Sequence, residues 1–193
     1  EKNVIDLDYT IKQNISNLSD YLNKNPEELT ACILDRPRHK EIIDELKKLK
    51  VNLKLITDGD VSGALLVTED KYNVDIFLGI GGGPEGVLAA AALRCLGGKI
   101  YTKLIYDSDE SFKRAKNMGV LDKDKIYETN DLASGDVMFS ATGVTDGTLL
   151  KGVRIKNDMA HTESVVMRSQ TNTVRHIKAK HNLNIKKYRS YFK

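Results

Sequence analysis

The sequence predicts an α/β fold: a largely parallel sheet with flanking helices, followed by antiparallel C-terminal strands. Two observations carry most of this. Short apolar runs alternate with segments of helical spacing from about residue 10 to about residue 145, and such alternation requires crossover connections between parallel strands. Beyond that stretch, Val153–Ile155, Ser164–Arg168 and Thr173–Lys178 read as antiparallel strands.

The elements follow in order. Ile11, Ile15, Leu18 and Leu22 repeat at the helical period, so 11–22 is expected to be a helix. Asn25-Pro26-Glu27-Glu28 supplies a cap, a proline at the first position and acids in the first turn. Thr30–Leu34 reads as a buried strand, 42–49 as a helix, Val51–Ile56 as a strand and Val61–Val67 as a short helix. Val74–Ile80 is the clearest strand and Pro84–Leu96 the clearest helix, closed by Gly97-Gly98. Ile100–Ile105 is another expected strand, Glu110–Met118 a helix ending at Gly119, and Val137–Ala141 a further strand. No internal repeat or low-complexity linker divides the chain, which points to one α/β unit.

Composition bounds the function. The chain has 193 residues, 40% of them hydrophobic, enough for a sizeable core. It contains no apolar run long enough to span a membrane. Glu1-Lys2-Asn3 carries neither a methionine nor an apolar leader, so a preceding N-terminal portion is expected and secretion is not. Cys32 and Cys95 lie inside apolar runs and are expected to be buried thiols of a reducing, cytoplasmic environment rather than a disulfide. The net charge of +3 is unevenly placed, because no acid follows Glu163 whereas eight Lys or Arg do. That basic excess, with Tyr188, Tyr191 and Phe192 near its end, reads as a solvated C-terminus with no nucleic-acid role.

Four polar segments, three of them bearing glycine, follow predicted strands: Asp35–Arg38, Asp58–Asp60, Gly79–Glu85 and Ala141–Gly147. In a parallel sheet their loops would share the carboxyl edge, where open α/β sheets bind ligands. In the glycine run Gly81-Gly82-Gly83, backbone can approach a ligand closely, and the first-turn N–H groups of the helix at Pro84 attract anions. Glu85 in that turn is equally consistent with a dipole-complementing acid and with a hard oxygen ligand for Mg²⁺ or Mn²⁺. The same residues also satisfy the dinucleotide pattern G-x-G-x-x-G, with Asp107 about 20 residues on, so an NAD(P)-dependent oxidoreductase is the rival reading. Against it, Glu85 would stand where a pyrophosphate approaches, and Pro84 removes an N–H.

Asp58-Gly59-Asp60 is best explained locally by helix capping, although two carboxylates spaced by glycine can also hold a cation or sugar hydroxyls. Arg36-Pro37-Arg38-His39-Lys40 puts cations at a helix start, where the dipole disfavours them, which suggests a need for positive charge; guanidinium forks suit phosphate. A solvated basic turn is the competing account. His39 alone reads as a surface or hydrogen-bonded residue rather than a catalyst. Thr142 and Thr145 could bond a ligand or merely form a turn. His161, His176 and His181 lack metal-ligand spacing.

Taken together, VIDLD, LDRPRH, ITDGDVSGAL, GIGGGPEGVLAAAALRCLGG, FSATGVTDGTLLKGV and TNTVRHIKAKHNL resemble the bacterial class II fructose-1,6-bisphosphatases, in order and over essentially the whole chain. The resemblance implies the fold of the lithium-sensitive sugar phosphatases and a two-metal phosphoester hydrolysis, using Mn²⁺ or Mg²⁺. The expected activity removes the 1-phosphate of fructose 1,6-bisphosphate by a metal-activated water. It makes Glu85 a metal ligand, assigns Arg36, Pro37 and Arg38 and Asp58, Gly59 and Asp60 to the sugar phosphate, and gives Gly82 a backbone contact with substrate. GGGP stands where GGAP is more usual in the family, and Arg36 stands where many relatives have Lys. Residues 1–193 are then the C-terminal α/β portion. The other metal-binding acids and the catalytic residues are expected in an N-terminal portion preceding Glu1. By itself the chain is expected to carry half a site and to be a non-catalytic folded fragment. The expected partner is the sugar bisphosphate, with no nucleic acid, no membrane and a homo-oligomeric assembly.

Overall fold

The computed structural model describes residues 4–185. Helix α1 spans Ile11–Leu22, and its start is fixed by a reciprocal capping box between Thr10 and Gln13. Asn23, in the left-handed conformation, ends it. A single 3-10 turn at Pro26–Glu28 leads into strand β1, Thr30–Leu34, every residue of which is buried. A second 3-10 turn at Pro37–His39 leads into α2, Lys40–Lys48, and β2 follows at Asn52–Ile56. Then come α3, Asp60–Leu65, the short strand β3, Ile76–Phe77, and α4, Gly83–Leu96.

β1 is central in a parallel sheet of order β2-β1-β3. Its complete burial follows from that position, because parallel strands are covered on both faces. Ala31 faces a cluster with Ile15 and Leu18 of α1 and Leu46 of α2, whereas Cys32 faces Leu66 and Val74 on the other side. Helix α3 lies close against the sheet at Gly63, where a Cβ would stand 2.7 Å from Ile56 Cδ1 and 2.8 Å from Phe77 Cε2. The edge is tied by Asp75, whose carboxylate accepts from the Thr30 N–H at 2.7 Å and from Lys24 Nζ at 2.7 Å.

The parallel part is smaller than the sequence reading expects. Val74–Ile80 pairs only at Ile76–Phe77. The expected strand at 100–105 does not rejoin that sheet: β4, Tyr101–Lys103, pairs antiparallel with β5, Ile126–Glu128, as a two-stranded ribbon. Between them α5 spans Asp109–Asn117, capped by Ser108, and α6 follows at Thr129–Leu132. β6, Met138–Thr142, belongs to a separate antiparallel sheet with β7, Arg154–Lys156, β8, Met159–Arg168, and β9, Thr173–Asn182. The final strands are antiparallel as expected, and β8 and β9 are longer than expected. Helix α4 joins the two parts. Its Ala92, Leu93 and Cys95 pack with Leu65 of α3 on one side and with Phe139, Val165 and Met167 of the antiparallel sheet on the other.

Both cysteines are free and buried. Burial pushes the thiols of Cys32 and Cys95 above their ordinary value. Among the described residues, no helix is long and apolar enough to cross a membrane. The expected solvated basic end is partly strand, since Arg175, Lys178 and Lys180 lie in β9. Residues 186–193, with Tyr188, Tyr191 and Phe192, lie outside the described residues.

Candidate active site

Three of the four polar segments leave the carboxyl ends of β1, β2 and β3, which are neighbours in one parallel sheet. The first runs through Asp35 and Arg36 into the turn at Pro37–His39. Its backbone is fixed by the Asp35 N–H donating to Ile56 O at 2.8 Å and the His39 N–H donating to Arg36 O at 2.9 Å. The side chains of Arg36 and Arg38 stay exposed, whereas His39 is completely buried.

His39 is a buried structural link rather than a surface residue. Its Nδ1–H donates to Leu34 O at 2.8 Å, and its Nε2 accepts from the Ile80 N–H at 2.9 Å. This pairing sets the tautomer. Arg38 Nε donates to Ile80 O at 2.7 Å. The peptide groups on either side of the Ile80 Cα are thus held by two consecutive residues of the arginine loop, and the glycine run starts from that anchored point.

The Asp58–Asp60 segment turns sharply into α3. Asp58 Oδ1 accepts from the Gly59 N–H at 2.8 Å, and Gly59 sits at φ 89°, a conformation that a side chain strains. Asp60 opens α3 and its carboxylate lies against the glycine turn: a Cβ on Gly81 would stand 2.5 Å from Asp60 Oδ2. Gly82 is the N-cap of α4, and the carboxylate of Glu85 folds back over it, so that a Cβ on Gly82 would overlap Glu85 Oε2. Two carboxylates therefore stand over consecutive glycines at a helix N-terminus, with Arg38 anchored one residue upstream. Neither Gly81 nor Gly82 has a positive φ, and a Cβ at either would have to displace one of these carboxylates.

The fourth segment behaves differently. Ala141–Gly147 leaves β6, in the other sheet, and closes on itself. Thr142 Oγ1 bonds Ser164 Oγ at 2.8 Å, and Asp146 Oδ1 accepts from the Gly152 N–H at 2.9 Å. A Cβ on Gly143 would run into the Lys151 carbonyl. The hydroxyls and glycines here build a turn, so the expected convergence of four loops reduces to three. The reason is that β6 does not join the parallel sheet.

The residues fit a divalent cation in part. Glu85 and Asp60 offer hard oxygen donors, but Mg²⁺ keeps about six oxygens around it. Among the described residues, no group of three or more His, Cys, Asp or Glu is arranged to hold a metal ion.

Residues 1–181 match the family described as bacterial fructose-1,6-bisphosphatase, glpX-encoded. The chain belongs to this family. It is 39% identical to proteins from Trichodesmium erythraeum, Microcystis aeruginosa and Synechocystis sp., each named D-fructose 1,6-bisphosphatase class 2/sedoheptulose 1,7-bisphosphatase. The matches cover 93%, 97% and 93% of this chain and 56%, 58% and 56% of those relatives. The chain thus spans little more than half the length of the curated bisphosphatases it matches.

Family membership and geometry together remove the dinucleotide reading. A Rossmann acid must end a parallel neighbour of the strand before the glycine turn. Asp107 instead follows β4, which pairs antiparallel in the separate ribbon, and the Glu85 carboxylate covers Gly82, where a pyrophosphate would rest. Sequence reasoning missed the link between His39 and Ile80 and the seat of Asp60 on Gly81. A lone histidine has no periodic signal, and the second contact exists only once β2 and β3 flank β1.

Proposed function

We propose that this chain forms part of a phosphatase that converts fructose 1,6-bisphosphate to fructose 6-phosphate. The observation that carries it is the anchoring of Arg38 and His39 on Ile80, which joins a cationic loop to the carboxylate-bearing glycine turn of α4.

Arg36 and Arg38, with Pro37 holding the turn between them, bind the phosphate that the product retains; exposed guanidinium forks suit a phosphate dianion. Asp58 and Asp60 orient the sugar hydroxyls, with Gly59 setting the turn that presents them. The backbone of Gly82 approaches the substrate, which its missing side chain permits. Glu85 is the metal ligand of this chain, for Mn²⁺ or Mg²⁺. When bound, such an ion neutralises phosphoryl charge and lowers the pKa of water. Two carboxylates do not complete a two-metal site, so the other ligands and the residues positioning water belong to the part of the relatives' length that this chain does not cover. The chain is then the C-terminal α/β portion of a cytoplasmic homo-oligomer with the fold of the lithium-sensitive sugar phosphatases.

The test is inorganic phosphate release from fructose 1,6-bisphosphate by a protein of the relatives' full length that contains this chain, in a Mn²⁺, Mg²⁺ and Li⁺ series. Release that requires Mn²⁺ or Mg²⁺ and falls with Li⁺ supports the reading. Release that is unchanged after removal of divalent ions by a chelator contradicts it.

A further inference from the structure

The antiparallel sheet carries a feature that the phosphatase site does not use. One face of β8 packs Val165 and Met167 against α4. The same face continues, two residues at a time, through Glu163, His161 and Met159, where it opens into a groove of about 440 Å³. Lys151, Arg154, Lys156, Lys178 and Lys180 line this groove, against a single acid, Glu163.

The register makes the charge placement unusual. Arg154 on β7 stands directly opposite His161 on β8, which stands directly opposite Lys180 on β9. In the next row Lys156 pairs with Met159. Arg154 and Lys180 thus flank His161 with no acid between them, which concentrates positive charge along this row. Glu163 does not relieve the row. Its carboxylate accepts from the Lys151 N–H at 3.1 Å and meets Lys178 Nζ, directly opposite, at 3.4 Å. The Arg154 guanidinium reaches Asp146 at 3.4 Å on the far side of the loop, and no ion pair joins Lys151, Lys156 or Lys180 to an acid among the described residues. The sequence holds no acid after Glu163, so β9 can bring only positive charge to this face.

We propose that this groove binds a small phosphorylated compound carrying a diphosphate or two close phosphates. The volume suits a ligand of that size. Lysine and arginine side chains from two strands, β7 and β9, and the loop before β7 supply charge-assisted hydrogen bonds to phosphate oxygens. The lining contains no Phe, Tyr or Trp, so it offers no stacking platform for the bases of a nucleic-acid strand. The site is separate from the Arg36 and Arg38 loop and does not depend on the phosphatase reading.

Titration of the whole chain with inorganic pyrophosphate, followed by backbone amide NMR, tests this. The expected result is saturable binding with a dissociation constant below about 1 mM, shifts concentrated at residues 151–163 and 178–180, and at least about tenfold weaker binding in the Arg154→Gln/Lys180→Gln double variant. Both side chains are exposed and the Arg154–Asp146 pair is a surface one, so the ligand-free melting temperature should stay close to that of the wild type. Should it instead melt lower, Lys156→Gln decides: binding weakened at least about threefold supports the site, and unchanged binding overturns it. Shifts confined to residues 35–39 and 79–85, no saturation, or undiminished affinity in a folded double variant overturn it. So does binding of a short single-stranded oligonucleotide without binding of pyrophosphate.

Discussion

His39 and Ile80, forty-one residues apart in sequence, are joined by a hydrogen bond in which the imidazole Nε2 accepts from the Ile80 N–H at 2.9 Å. This contact fastens the loop after β1 to the loop after β3, and so fixes where the arginines stand relative to the helix that carries Glu85.

Replacing His39 with Ala therefore leaves the Ile80 N–H without its acceptor, removes one of two donors to the Leu34 carbonyl, which keeps the Arg36 N–H at 2.9 Å, and empties the space of a completely buried side chain. A loss of about 2–4 kcal/mol in urea-unfolding stability is expected. Faster amide hydrogen exchange at Ile80 should accompany it, because the N–H loses its acceptor.

Gly82 and Gly83 separate site geometry from stability. A Cβ on Gly82 meets only the end of the flexible Glu85 side chain, and one on Gly83 meets nothing within 4 Å. Both Ala variants should stay within about 1 kcal/mol of the wild type in unfolding stability. In a protein of the relatives' full length, Gly82→Ala should lower phosphate release at least about tenfold by displacing Glu85, whereas Gly83→Ala should leave it nearly unchanged.

Acid sensitivity should track the Asp136 carboxyl, which the hydrogen bond from Arg168 Nη2 at 2.6 Å holds below the usual carboxylate range. Its folded pKa is depressed, so its contribution is present above the unfolded value of about 3.9 and is lost as pH falls through the folded value. Urea unfolding between pH 7 and pH 2 should show a shallower acid limb for Asp136→Asn than for the wild type.

Much of this was legible in the sequence where local chemistry decides. The proline and glycines bounding α4 marked its ends, and the unbroken apolar run Thr30–Leu34 marked the central strand. The polar segments after β1, β2 and β3 were placed at one edge by the parallel arrangement alone. Strand partners were not legible. Tyr101–Lys103 and Met138–Thr142 have the composition of any short strand, and nothing local states that one pairs with Ile126–Glu128 and the other with β8. The error in the fourth loop follows from that. The burial of His39 and the row formed by Arg154, His161 and Lys180 are likewise products of register and packing.

Glu85 is the point on which the account turns. Phosphate release from fructose 1,6-bisphosphate at saturating Mn²⁺ should be compared for the wild type and Glu85→Gln in a protein of the relatives' full length. A metal ligand predicts a fall of about a hundredfold or more with folding intact. Near-normal release would contradict it and leave Glu85 as an acid that complements the dipole of α4.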